Sequence, residues 1–172
     1  MNYNLSSVIS TKLNSHQIKS ICLLKDKQWK FGIRSQMKWY KKNIKKKDIH
    51  NLFYIKSKLV GYTLLRKRTC KVNNINKKIN YLYFDTLIID KNYRNKNLSN
   101  LMMNFNNTVI NQSGCFSFLI CKKTLVNFYK KNSWIQLNKK NIRIADHLFL
   151  TNGMIFNAKH ANKKKYHFYI NK

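Results

Sequence analysis

The chain has 172 residues, with 35 Lys plus Arg against 5 Asp and no Glu, for a formal net charge of +30. Its 44% apolar content excludes wholesale disorder, and no apolar run approaches the ~20 residues of a membrane span. The start has no basic segment leading into an apolar one, so no secretory signal is visible, and the length suits one domain, residues 1–172, in the cytoplasm.

In chain order, Tyr3–Ile9 reads as a first strand. Ser15 is placed to cap a helix that puts Ile18, Ile21 and Cys22 on one face. A second helix is expected from Ser35, with Met37, Tyr40 and Ile44 as its buried stripe and Trp39 off it. Two β-rich runs, 51–55 and 59–65, flank Lys56-Ser57-Lys58 and predict a hairpin. A long strand follows at 80–90. Leu98, Leu101, Met102, Phe105, Val109 and Ile110 then give a helical stripe. Residues 116–121 are continuously apolar, as in a buried strand. Leu125, Phe128 and Tyr129 predict a short helix, and runs at 142–150 and 165–170 predict two closing strands. The order is β-α-α-β-β-β-α-β-α-β-β. That is an α+β domain on a mixed sheet, with a right-handed crossover between the strand at 80–90 and the one at 116–121.

The junction Tyr93-Arg94-Asn95-Lys96-Asn97-Leu98-Ser99 joins the apolar strand end Leu87-Ile88-Ile89 to a helix. A helix start directs unpaired N–H groups and the positive end of its dipole at one point, which suits a phosphate. Such loops usually carry glycine, and this one has none. Asn is the non-glycine residue most tolerant of a left-handed backbone, and Ser is small enough for close approach.

Cys22, Cys70, Cys115 and Cys121 lack metal-ligand spacing and read as reduced core thiols, so no metal is expected. The excess charge favours an anionic partner and disfavours a polycationic substrate. Part of it also fits the Lys, Asn and Ile bias of an AT-rich coding sequence. The carboxylates available as bases are Asp26, Asp48, Asp85, Asp90 and Asp146. Asp90 falls at the strand end as a turn residue, and Asp146 shares parity with Ile142, Ile144 and Leu148.

Three segments together resemble the GNAT superfamily of acyl-CoA-dependent N-acetyltransferases. Leu59-Val60-Gly61-Tyr62-Thr63-Leu64-Leu65-Arg66 is similar to the family's strand with a Val-Gly pair. The segment from Leu87 to Ser99 is similar to its strand, turn and Arg/Gln-x-x-Gly-x-Gly/Ala loop, with Asn97 and Ser99 in the glycine places. Phe128-Tyr129-Lys130-Lys131-Asn132-Ser133-Trp134 resembles its Phe-Tyr-x-x-x-Gly-Phe segment, with Ser133 for Gly.

The resemblance implies acetyl-CoA as donor and an amine as acceptor. It assigns the pyrophosphate to Arg94, Asn95, Lys96, Asn97, Leu98 and Ser99, and the pantetheine arm and thioester carbonyl to the backbone of Leu87, Ile88 and Ile89. It makes Asp85 the base, acting through water, with Asp146 or water alone as alternatives. It makes Tyr129 the acid that protonates the departing thiolate. It places Trp29 and Phe31 near the acceptor, and the parity of Asp146 points that residue inward toward the same place. An anionic small amine, such as an amino sugar or a nucleotide-linked sugar, is the acceptor class the charge suits. A nucleic-acid-binding protein that keeps the fold is the competing reading, from the lysines and the interleaved aromatics Tyr81, Tyr83, Phe84, Tyr166, Phe168 and Tyr169. Oligomeric state has no signature in the sequence.

Overall fold

A computed structural model describes residues 2–73, 75, 77–145 and 151–170. The chain divides into two compact units, Met1–Arg66 with Asp85–Asn106, and Lys67–Phe84 with Asn107–Lys172.

In the first unit β1 (Tyr3–Ile9) runs antiparallel to β2 (Ile49–Ile55), and β2 antiparallel to β3 (Lys58–Val72). Lys56 closes the β2–β3 hairpin at φ 54°. The first half of β3 lies beside the end of β4 (Ile79–Ile89), and the Asp90 amide donates to the Val60 carbonyl at 2.7 Å. The helices α1 (Ser15–Trp29) and α2 (Ile33–Asn43) precede β2, and α3 (Leu98–Gln112) follows β4.

Alternate strand residues feed two cores. Leu52, Leu59, Tyr62, Leu64 and Ile88 pack with Ile21 and Leu24 of α1. Phe53, Ile55, Val60 and Ile89 pack with Leu98 and Met102 of α3. Strands covered on both faces read as unbroken apolar runs, which is why these segments stood out in the sequence. Gly61 has no room for a side chain between these strands. A Cβ there would lie 2.9 Å from Ile89 Cδ1 and 3.0 Å from Phe53 Cβ.

In the second unit Thr69–Val72 of β3 pair with β9 (Tyr166–Tyr169), and β9 runs parallel to β7 (Ile142–Ile144). The start of β4 runs parallel to β5 (Ser117–Cys121) at Leu82↔Ser117 and Tyr83↔Phe118. β8 (Asn152–Phe156) joins β5 to β6 (Ile135–Gln136), and α4 (Val126–Lys131) lies between β5 and β6 in sequence. Phe118 stacks on Phe168 with ring centroids 3.7 Å apart at the centre of this core. All four cysteines are free, and Cys22, Cys70 and Cys121 are buried.

The mixed α/β order matches expectation, with corrections in detail. The cap of α1 is Asn14, not Ser15: its side chain accepts from the Gln17 amide, and Gln17 returns a bond to the Asn14 amide in a capping box. α2 starts at Ile33, and Trp39 packs against the α1 core instead of falling off the buried face. β3 continues past Leu65, where the expected run stopped, and the charged Arg66 and Arg68 that extend it are both buried. Arg68 Nε donates to the Ile170 carbonyl at 3.0 Å. β7 ends at Ile144, 146–150 lie outside the described residues, and the strands β6 and β8 were not foreseen.

Candidate active site

The β4–α3 junction is built from the strand outward. Asp90 caps the turn Lys91–Tyr93: its carboxylate accepts from the Asn92 amide at 3.1 Å and from Lys27 Nζ at 3.0 Å. Burial pushes this carboxyl up, but the Asn92 amide, Lys27 and Lys58 outweigh it and hold Asp90 below its usual value. Asp90 is therefore a charged structural pin, as its place at the strand end suggested.

Beyond the turn, Asn95 (φ 61°) and Asn97 (φ 56°) both take the left-handed backbone. This is the conformation a glycine loop uses, here supplied by asparagine. The Asn97 carbonyl accepts from the Leu101 amide at 3.3 Å, and its side-chain oxygen accepts from Asn100 Nδ2. Leu98 and Ser99 form the first turn of the 15-residue α3, where amides have no partner further back in the helix. Lys58 and Lys96 stand over the Tyr93 ring, 5.3 and 5.8 Å from its centroid. Arg94 turns back, donating from Nε to the Ile89 carbonyl at 3.1 Å and from Nη2 to Gln28 Oε1. The loop thus has donors, positive charge and the backbone turn that a pyrophosphate requires.

Upstream on β4, Asp85 accepts from Arg66 Nη1 at 3.1 Å. Arg66 is 5% exposed, and its Nε is buried without a partner. Lys25 of α1 adjoins this pair electrostatically. It is 6% exposed, with Nζ 3.5 Å from the centroid of Trp39 and 5.8 Å from that of Trp29. Burial lowers the Lys25 pKa to about 8, Asp85 and Cys22 oppose that shift, and Arg66 adds to it. Trp29 is 40% and Phe31 69% exposed, at the link between α1 and α2. Leu87, Ile88 and Ile89 lie past the two residues through which β4 pairs with β5.

Lys25 and Arg66 are the members that sequence reasoning missed. The signal for Lys25 was its spacing: it lies three and four residues after Cys22 and Ile21, on the buried face of α1.

Tyr129 belongs to the second unit, on α4, buried against Phe84, Phe128 and Trp134. Burial, reinforced by Cys121, pushes its phenol well above the usual value. The helix ends in a Schellman motif: the Trp134 amide donates to the Tyr129 carbonyl at 3.1 Å and the Ser133 amide to the Lys130 carbonyl at 3.1 Å. Ser133, at φ 68°, fills the left-handed position that the resemblance gives to Gly. Asp146 lies outside the described residues.

No family model and no curated protein matches the sequence. Solved structures do match. ElaA from Escherichia coli aligns with a TM-score of 0.61 and 14% identity over 90% of this chain and 99% of its own. An acyl-CoA N-acyltransferase from Pseudomonas aeruginosa aligns with a TM-score of 0.66 and 9% identity over 90% and 99%. The PaiA N-acetyltransferase from Thermoplasma acidophilum, solved with coenzyme A, aligns with a TM-score of 0.56 and 14% identity over 90% and 98%. The chain has the GNAT acetyltransferase fold. Within that fold its departures from the glycine pattern fall on Asn97, Ser99 and Ser133, and Asn97 and Ser133 keep the backbone the pattern encodes. No group of three or more His, Cys or Asp side chains among the described residues is placed to hold a metal.

Proposed function

We propose that this chain is an acyl-CoA-dependent N-acyltransferase that moves an acetyl group from acetyl-CoA to a primary amine of a small, anionic acceptor. The observation that carries the reading is the pair of left-handed asparagines directly before α3. It supplies a phosphate cradle on a loop without glycine.

The residues divide the work as follows. The amides of Asn95, Lys96, Asn97, Leu98 and Ser99 receive the pyrophosphate, with Lys58, Lys96 and Arg94 adding positive charge. The β4 edge at Leu87, Ile88 and Ile89, past its pairing with β5, bonds the pantetheine arm, and one of its amides polarises the thioester carbonyl. The thioester supplies an activated acyl group. The acceptor nitrogen must lose a proton, attack the carbonyl carbon and displace the sulfur, which leaves as thiolate.

Lys25 is the proton acceptor in this reading. Its pKa of about 8 leaves roughly a tenth of it neutral at pH 7, and the Trp29 ring beside it, with exposed Phe31 just past the end of α1, gives the acceptor an apolar approach. Asp85 is already bonded to Arg66, so it acts on the field around Lys25 in place of taking the proton itself. Tyr129 donates a hydrogen bond to the departing sulfur; its raised pKa makes full proton transfer to a thiolate uphill. An amino sugar or a nucleotide-linked amino sugar matches both the amine requirement and the +30 charge.

The test is mass spectrometry of an amine panel, nucleotide-linked amino sugars included, incubated with acetyl-CoA. Acetylation of an anionic member, with acetyl-CoA-dependent thermal stabilisation, is expected. Failure of both would end the enzyme reading.

A further inference from the structure

The first unit has an open sheet edge. Among the described residues β1 pairs only with β2, and none of its seven residues is buried. An open edge is a template for a further strand, and proteins blunt it with lysine, proline, a bulge or brevity. β1 has none of these. It carries no charged residue, although 35 of the 172 residues are Lys or Arg, and its register with β2 runs unbroken from Tyr3↔Ile55 to Ile9↔Ile49. In the second unit, β6 and β7, each paired on one side only among the described residues, have two and three residues.

The direction of the free groups follows from the ladder. The Lys56 amide donates to the Asn2 carbonyl at 3.4 Å and the Ser10 amide to the Asp48 carbonyl at 2.9 Å, both on the β1–β2 register. Bonded and unbonded pairs alternate in an antiparallel ladder. Asn4, Ser6 and Val8 therefore bond to β2, and the N–H and C=O groups of Tyr3, Leu5, Ser7 and Ile9 point away from it. Of these, the Ile9 carbonyl opens the turn Ser10–Lys12. The same four side chains share one face, with Tyr3 48% and Ile9 41% exposed at its two ends.

A strand arranged this way is complementary to itself. A second β1, turned about a two-fold axis at Ser6, sets Tyr3 opposite Ile9, Leu5 opposite Ser7, and Ser6 opposite its own copy. About six backbone hydrogen bonds then close, within the number a standard interface carries. Each exposed tyrosine packs on a β-branched isoleucine across the strand. An unrelated extended peptide would fill the hydrogen bonds but has no reason to match Tyr3 and Ile9. Two chains of charge +30 repel, and residues 1–11, without a charged side chain, let them approach.

We propose that two copies of this chain pair antiparallel through β1, in register about Ser6, as a symmetric dimer. The contact is backbone and apolar, so salt that screens the repulsion strengthens it.

The test is sedimentation equilibrium of the full chain across concentration, in roughly 0.05 and 0.5 M sodium chloride. A monomer–dimer equilibrium is expected, tighter at the higher salt. Ser7→Pro removes an outward N–H that β2 does not use, and Ser7→Lys puts a charge on the edge. Each should weaken the dimer at least about tenfold and keep the parent's circular dichroism. If proline disturbs the fold, the lysine variant decides. Oxidative cross-linking reads the register. Opposed residues of an unbonded pair have Cα atoms about 4.5 Å apart, within disulfide reach, so Ser6→Cys should cross-link to its copy. Asn4→Cys, about 13 Å from its copy, should stay at the parent's level, which half-buried Cys115 sets. Four results would each overturn the proposal. They are a parent monomeric to about 1 mM at both salts, a dimer that added salt dissociates, Ser7→Lys dimerising as the parent does, and Ser6→Cys cross-linking no more than Asn4→Cys. None bears on whether the chain transfers acetyl groups.

Discussion

Lys25 and Asp85 carry opposite charges in one buried corner, and their proposed roles separate in a pH profile. With Lys25 as base, the acidic limb of kcat/KM lies near pH 8. Lys25→Met should abolish that limb and lower the rate about 10²–10⁴-fold. Asp85 raises the Lys25 pKa, so Asp85→Asn should keep the limb and move it to lower pH. A limb lost in Asp85→Asn, with the acceptor's own titration the same in every variant, would make Asp85 the base. Tyr129→Phe tests the sulfur contact. A hydrogen-bond donor is worth about tenfold in kcat, with KM for acetyl-CoA unchanged. No change would remove Tyr129 from the reaction, and a thousandfold drop would make it a full acid.

At the level of elements, helix ends decide more than helix middles. Ser133 holds the left-handed turn that ends α4, and a Cβ there is a steric cost that glycine lacks. Ser133→Gly should raise unfolding stability by about 0.5–1 kcal/mol in a urea titration; lower stability would mean the serine side chain makes a bond of its own. The same ends show how far the sequence was legible. Strands buried on both faces gave themselves away by unbroken apolar runs, and the loop at 95–99 by its place between strand and helix. β3 was cut short because Arg66 and Arg68 look like surface residues until their partners are known, and β8 was missed because only Met154, Ile155 and Phe156 of its five residues are apolar. α3 hides a polar seam inside its stripe. Asn106 is fully buried, accepts from Asn51 Nδ2 at 2.7 Å and donates to Thr63 Oγ1 at 3.0 Å, which fixes the helix against β2 and β3. Nothing in periodicity marks an asparagine for the core, so such a residue stays invisible until its donors and acceptors are placed.

Over the whole molecule, a charge of +30 on 172 residues repels itself. Sodium chloride added from roughly 0.05 to 0.5 M should therefore raise Tm, by about 2–4 °C for each kcal/mol of repulsion screened. A flat response would mean that the lysines are far enough apart to ignore one another. The scarcity of glycine also acts on the chain as a whole. Eight described residues with side chains, among them Asn73, Asn95, Asn97 and Asn157, occupy left-handed turns, against two glycines, Gly32 and Gly114. A denatured chain with asparagine at these places samples fewer backbone states than one with glycine, so closing each turn loses less entropy. The loop before α3 thus reaches its left-handed backbone at a smaller entropic cost than a glycine loop would. A search that looks for glycine letters passes over it, although its backbone has the shape those letters stand for.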